Sequence, residues 1–211
     1  MALSTIVVPA ASGTPKHTLV LLHGWGANER DLASIAQELA LPDCQCIFPN
    51  GTFEHGGMPG SRMWYALGPQ LEFDIDPEGI QASRTAIETL LVRVAAETGV
   101  PLPRTVLGGF SQGGAMALDI GSRLPLAGFV SMSGYLHGPI VQAETIAKPA
   151  LVMHGSADPV VPLAAAGKVR EALAAAGIKA QFAEFAIGHG ICPEEIAVLR
   201  KFLADVFEAV G

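Results

Sequence analysis

The chain has 211 residues, of which 50% are hydrophobic and 16% are charged, and its formal net charge is -7. This composition excludes a disordered polypeptide and predicts one globular domain over residues 1–211 with a single core. The negative charge repels phosphate backbones and the sequence has no basic patch, so we expect no nucleic-acid partner.

The predicted elements alternate between short apolar runs and longer amphipathic stretches. In chain order, strands are predicted at residues 18–22, 44–48, 105–109, 128–132, 150–154 and 179–185, and helices at 78–98, 112–124, 163–176 and 193–210. A further helix, with Leu32, Ile35 and Leu39 on one face, is expected to have Asn28 as its cap. The alternation predicts an α/β fold with a mostly parallel central sheet and helices on both faces.

Residues 53–77 are rich in glycine and proline and show no clean period. We predict a long loop there. Two interpretations stay open: a lid or binding loop with a function, or a loosely packed excursion over the surface.

The three cysteines, Cys44, Cys46 and Cys192, are odd in number and lack the spacing of a zinc site. We therefore expect no disulfide framework, no metal and reduced thiols, as in a cytoplasmic protein. Cys44 and Cys46 are expected to be core or boundary residues on one face of a strand. No segment approaches the roughly 20 apolar residues of a spanning helix, so we expect a soluble chain without integral membrane contact.

A G-x-S-x-G motif, Gly109-Phe110-Ser111-Gln112-Gly113, lies between a predicted strand and a predicted helix. This context is typical of a nucleophile elbow, in which a sharp turn lifts the serine hydroxyl above the sheet. Glycine at positions 109 and 113 leaves room for that turn. The alternative interpretation is a serine that merely caps the helix.

A nucleophilic serine needs a base, and in α/β-hydrolases the acid follows the serine and the histidine comes last. His189 is the only histidine beyond a credible acid at a strand end. Asp158 follows the strand at 150–154 and is the favoured acid, with Glu144 as the reserve candidate. Three suitable residue types in this order predict a catalytic triad of Ser111, Asp158 and His189.

The oxyanion of an acyl-transfer reaction needs donors that are already aimed, usually the amide after the nucleophile and one from an early loop. Here these amides belong to Gln112 and Trp25. The early loop is His23-Gly24-Trp25-Gly26, in which we interpret His23 as a residue that fixes the loop rather than as a second base.

These motifs together resemble the phospholipase/carboxylesterase family, which includes acyl-protein thioesterases and small bacterial carboxylesterases. The resemblance spans nearly the whole chain and is carried by Leu22-His23-Gly24, Gly109 to Gly114, Ser133-Gly134, His154-Gly155 with Asp158 to Pro162, and Gly188-His189. It implies the α/β-hydrolase fold, the same triad, oxyanion amides on Trp25 and Gln112, and hydrolysis without a cofactor.

The segment Met63-Trp64-Tyr65 followed by Phe73-Asp74-Ile75 looks like the substrate-side loop of that family. In this sequence seven residues separate the two halves, a departure that leaves the acyl-chain length open. The predicted substrate contacts are the apolar residues of this region and of two strand ends: Met63, Trp64, Leu71, Phe73, Leu136 and Val161.

The hypothesis from the sequence is a serine hydrolase that cleaves carboxylic ester or thioester bonds of a small-molecule substrate through an acyl-enzyme on Ser111. One rival is lysophospholipid or peptide hydrolysis by the same triad, because loops set the choice of leaving group. A rival of another class is a non-catalytic binding protein on a hydrolase fold. The residues leave open whether the chain forms a homodimer.

Overall fold

The computed structural model describes residues 2–68, 76–141 and 148–211. Its strands are β1 (Thr5–Val8), β2 (His17–Leu22), β3 (Cys44–Pro49), β4 (Phe53–Glu54), β5 (Arg62–Met63), β6 (Thr105–Phe110), β7 (Gly128–Met132), β8 (Ala150–Gly155) and β9 (Ala180–Phe185). Seven of them form one sheet in the order β1-β3-β2-β6-β7-β8-β9. All neighbours in this sheet are parallel except β1 and β3, which are antiparallel.

Among the described residues, five α-helices cover the two faces of the sheet: α1 (Ile35–Leu39), α2 (Pro77–Thr98), α3 (Gln112–Arg123), α4 (Ala164–Ala175) and α5 (Pro193–Val210). The side chains of α1 and α5 join one hydrophobic cluster on one face. Those of α2, α3 and α4 join two clusters on the other. Every residue of β2, β3, β7 and β8 is buried, as expected for strands packed against helices on both faces. The predicted α/β architecture is confirmed.

The structure differs from the predicted elements in three places. Strand β1 was missed, because a short edge strand with mixed exposure lacks the apolar run that identifies a central strand. Asn28 does not cap a helix: its Oδ1 accepts from the amide of Arg30 at 3.0 Å and its Nδ2 donates to the carbonyl of Gly60 at 3.2 Å. Helix α1 begins only at Ile35, because the preceding residues form successive tight turns.

The predicted loop at 53–77 contains structure of its own. Strands β4 and β5 pair as an antiparallel hairpin in which Phe53 lies opposite Met63. Leu71 and Phe73, two of the predicted substrate contacts, and Glu144, the reserve acid, lie outside the described residues. In the part of the chain that is described, no helix is both long and apolar enough to cross a membrane.

Candidate active site

Ser111 lies in the turn between β6 and α3 and has a backbone conformation that side chains rarely adopt, with φ 54° and ψ -116°. Its amide donates to the carbonyl of Met132 on β7 at 2.8 Å. A Cβ at Gly109 would lie 2.3 Å from the carbonyl oxygen of Gly113, and a Cβ at Gly113 would lie 2.2 Å from that of Leu22. Only glycine fits at both positions, so the motif has the tight, strained turn of a nucleophile elbow.

Three predicted residues meet at the carboxyl ends of the parallel strands. The Ser111 hydroxyl lies 3.0 Å from Nε2 of His189, and Nδ1 of His189 lies 2.7 Å from Oδ2 of Asp158. An ionised Asp158 can only accept a hydrogen bond, so Nδ1 carries the proton and Nε2 is free to accept from the serine. This is the tautomer that a general base needs.

The carboxylate of Asp158 is fully buried, and its other oxygen, Oδ1, accepts from the amides of Val160 and Val161, each at 2.9 Å. Burial opposes ionisation, but the hydrogen bonds from His189 and from the two amides outweigh it, and the pKa of Asp158 is lowered. The carboxylate is therefore ionised at neutral pH beside the imidazole.

The loop that carries His189 is packed closely against the turn that carries Asp158. The amide of Ala157 donates to the carbonyl of Ile187 at 3.0 Å, and a Cβ at Gly155 would lie 2.3 Å from the carbonyl oxygen of Gly188. The imidazole of His189 packs on the ring of Phe110, with centroids 4.8 Å apart. The histidine keeps 17% of its side chain exposed, so a substrate can reach it from solvent.

The two predicted oxyanion donors belong to segments that lie close to Ser111. Gln112 is the first residue of α3, and a Cβ at Gly24, next to Trp25, would lie 3.5 Å from Cβ of Ser111. Among the described residues, neither the Trp25 amide nor the Gln112 amide donates to a protein acceptor. Both N–H groups are thus available to a ligand beside the serine hydroxyl.

His23 is buried and fixes the loop, as its interpretation from sequence proposed. Its Nε2 accepts from the amide of Gly51 at 2.9 Å, and its Nδ1–H donates to the carbonyl of Gly24 at 2.7 Å. Burial lowers the pKa of His23, and a neutral ring is what this pair of bonds requires. The ring cannot serve as a second base, because both nitrogens are already engaged.

The predicted substrate contacts divide by burial. Met63 and Leu136 are half-buried and keep some exposed surface. Trp64 and Val161 are fully buried, so neither presents a surface that a substrate could touch, and we correct both predictions. The physical reason is packing: both side chains belong to the hydrophobic cluster beneath α2 and α3.

The sequence interpretation missed a role for His154, which stands four residues before Asp158. The ring is buried at the end of β8, its Nε2 donates to the carbonyl of Val161 at 2.8 Å, and it lies 3.7 Å from Oδ2 of Asp158. His154 therefore holds the turn whose amides bind the acid. The signal in the sequence was a polar residue at the end of an otherwise apolar strand.

Comparison with known proteins extends over nearly the whole chain. The family model described as Phospholipase/Carboxylesterase matches residues 3–207. A relative named acyl-protein thioesterase 1, from Neurospora crassa, is 30% identical, and the match covers 95% of this chain and 90% of that protein.

Solved structures agree with the sequence comparison. The crystal structure of esterase PE8 superposes with a TM-score of 0.89 at 30% identity, covering 98% of this chain and 100% of that one. The carboxylesterase of Bacillus cereus superposes with a TM-score of 0.83 over 97% of this chain and 95% of that one. Its 18% identity supports the likeness of fold alone.

Proposed function

Because the chain belongs to the phospholipase/carboxylesterase family of α/β-hydrolases and is a serine hydrolase of ester or thioester bonds, we propose that Ser111, His189 and Asp158 are its catalytic triad. The observation that carries this proposal is the unbroken line of hydrogen bonds from Ser111 through His189 to the buried Asp158. Each residue follows a different strand of the parallel sheet, where such folds place their sites.

The acylation step begins when the Ser111 oxygen attacks the carbonyl carbon of the bound ester or thioester. Nε2 of His189 accepts the hydroxyl proton as the new C–O bond forms, and Asp158 stabilises the resulting imidazolium. The tetrahedral intermediate then collapses, the bond to the leaving group breaks, and the imidazolium returns the proton to the departing alkoxide or thiolate. The product of this step is an acyl-enzyme on Ser111.

The oxyanion of each tetrahedral intermediate is bound by the amides of Trp25 and Gln112. Both lie next to the nucleophile and have no acceptor among the described residues, so no hydrogen bond has to be broken before they bind a developing negative charge.

Deacylation repeats the chemistry with water in place of the serine. His189 removes a proton from the water as it attacks the acyl carbon, and then returns a proton to the Ser111 oxygen as the acid leaves. Every proton in the cycle passes through Nε2 of His189.

The proposed substrate is a small-molecule ester or thioester with an apolar acyl group, and Met63 and Leu136 are the described residues that we retain as contacts with it. The name of the Neurospora crassa relative supports thioesters, and esterase PE8 supports esters. We also propose a cytoplasmic location, which the free cysteines support, and a homodimer remains a proposal to be tested by light scattering in solution.

The test is a chain-length series of p-nitrophenyl esters and acyl thioesters, assayed with the parent and with Ser111→Ala. We expect turnover by the parent, labelling by a fluorophosphonate probe, and loss of both in the variant. Ser122→Ala is a matched control, because Ser122 is also a buried serine but its hydroxyl donates to the carbonyl of Asp119 within α3. A parent that neither turns over any substrate nor reacts with the probe contradicts the proposal.

Lysophospholipids and short peptides are assayed in parallel, because the same triad can act on them. A higher kcat/KM on either class than on all esters and thioesters would move the proposed substrate to that class without changing the mechanism.

A further inference from the structure

The side chain of Gln112 is fully engaged with a distant segment of the chain. Its Oε1 accepts from the amide of Trp64 at 2.9 Å, and its Nε2 donates to the carbonyl of Tyr65 at 2.8 Å. Gln112 has only 1% of its surface exposed, so these bonds are made away from competing water. The residue that carries one oxyanion amide is thereby tied to residues 64 and 65.

The same tryptophan also reaches the loop that carries the other oxyanion amide. The indole Nε1–H of Trp64 donates to the carbonyl of His23 at 2.9 Å, and the Trp64 and His23 rings pack with centroids 5.2 Å apart. The carbonyl of Gly24 is held in turn by Nδ1–H of His23 at 2.7 Å and by the amide of Ala27 at 3.3 Å. Both peptide groups that flank Gly24 are therefore fixed.

Fixing these two carbonyls fixes the direction of the Trp25 amide. The carbonyl of Gly24 and the N–H of Trp25 belong to one planar peptide group and point in opposite directions. With the carbonyl held against His23, the N–H must point to the other side. A glycine at position 24 has no conformational preference of its own to maintain this orientation, so the hydrogen bonds must supply it.

Residues 62–65, which we call the bridging segment, are themselves well anchored. The amide of Gly26 donates to the carbonyl of Arg62 at 2.9 Å, and the amide of Arg62 donates to the carbonyl of Ala27 at 2.7 Å. The hydroxyl of Ser83 on α2 donates to the carbonyl of Trp64. The segment thus links α2, the early loop and the start of α3.

We propose that Trp64 is a positioning residue that holds the two oxyanion amides, on Trp25 and Gln112, in one arrangement around Ser111. Its backbone amide binds the side chain of Gln112, and its indole N–H binds the carbonyl of the peptide group before Gly24. The Trp64 ring also packs on His23, which holds the carbonyl of the peptide group after Gly24. The inference rests on the function proposed above, because it assigns Trp64 a role only if these amides bind an oxyanion. It replaces the substrate contact that the sequence suggested for Trp64.

The test is Trp64→Phe, which keeps an aromatic ring in the core and removes the donor to His23. We expect kcat to fall about tenfold with KM within about twofold, less than the roughly 10²- to 10³-fold lost when an oxyanion donor is deleted outright. Affinity for an arylboronic acid, whose adduct with serine mimics the tetrahedral intermediate, is expected to weaken by a similar factor. A purely structural role would leave boronate affinity and substrate affinity changed alike.

Thr18→Val is the matched control, because it also removes one buried hydrogen bond while keeping the shape of the side chain. Thr18 on β2 is as buried as Trp64, but its hydroxyl accepts from Nε2 of Gln45 on β3 at 2.8 Å and makes no bond to the oxyanion loop. We expect this variant to lose thermal stability while kcat and boronate affinity stay within about twofold of the parent. Loss of catalysis in both variants to the same degree would overturn the assignment to Trp64.

A second replacement, 3-benzothienylalanine at position 64, keeps the shape of the indole and exchanges its N–H for sulfur, so it addresses the hydrogen bond even if phenylalanine disturbs folding. A folded protein with either replacement and with the kcat and boronate affinity of the parent would overturn this inference alone. Absence of any Ser111-dependent turnover in the parent would instead refute the proposed function, and this inference with it.

Discussion

Asp158→Asn separates the structural role of the acid from its catalytic role. The asparagine carbonyl oxygen can still accept from the amides of Val160 and Val161, which now bind Oδ1 of Asp158. The amide nitrogen then faces His189 in place of Oδ2, and it can only donate. Nδ1 of His189 must therefore become an acceptor, and the ring proton moves to Nε2, where it faces Ser111.

The size of the effect follows from the geometry. In the variant, Nε2 has no lone pair for the serine proton, and the ring cannot easily turn over because it packs on Phe110 at 4.8 Å between centroids. A triad histidine held in the wrong tautomer loses about 10⁴-fold in kcat. This corresponds to about 5 kcal/mol of transition-state stabilisation. KM should change little, because Asp158 is buried and touches no substrate.

The assay is steady-state hydrolysis of the best ester, with the folded state checked by circular dichroism and thermal unfolding. Asp119→Asn is the control, because Asp119 is also a mostly buried carboxylate but pairs with Arg84 and Arg123 rather than with a histidine. We expect it to lose stability and keep kcat. A folded Asp158→Asn protein with kcat within tenfold of the parent would show that Asp158 is not the acid of the triad.

Three further outcomes follow from the structure. Gly113→Ala should lower the free energy of unfolding, measured by urea titration, by about 2 kcal/mol or more, because its Cβ would lie 2.2 Å from the carbonyl oxygen of Leu22. Gly167→Ala is the control: a Cβ there meets open space on α4, so this variant should be neutral or slightly stabilising. Burial raises the pKa of Glu195 to about 7, so the contribution of its protonated form to stability is present below the unfolded pKa of 4.5 and is lost as pH rises through 7. Above pH 7, Glu195→Gln should therefore have a higher free energy of unfolding than the parent. Equal urea midpoints of the two proteins at pH 8.5 would contradict this. Burial lowers the pKa of His23, which gives stability the opposite dependence on pH. As pH falls below about 6.5 the unfolded chain binds the proton before the folded one does, so the parent should lose stability in that range. The stability of His23→Asn should fall less over the same range.

Several features of the site could be predicted from residue order and local pattern. Ser111 was selected because it stands in a glycine-rich strand-to-helix turn. Asp158 and His189 were selected because they follow later predicted strands in the order acid and then histidine. The structure brings the three side chains within hydrogen-bonding distance. This works because parallel strands place their carboxyl ends at one edge of the sheet, so order along the chain becomes proximity in space.

Other features had no local signal. Strand β1 is short and half-exposed, and the turns after Asn28 replace the first part of a predicted helix through hydrogen bonds three residues apart. Such short-range geometry depends on what the segment packs against, and periodicity does not report it.

The sequence by itself determined the α/β alternation, the strand-to-helix turn at Ser111 and the order of the proposed triad. Each depends on residues that are neighbours or on strand ends that the sheet aligns. Only the tertiary structure decided which apolar residues of the segment after β4 face the core. Trp64 bonds to His23 across 41 positions and to Gln112 across 48. No local pattern encodes contacts of that range, because they form only when separate elements pack together. This packing buries Trp64 between the segments that carry the proposed oxyanion amides.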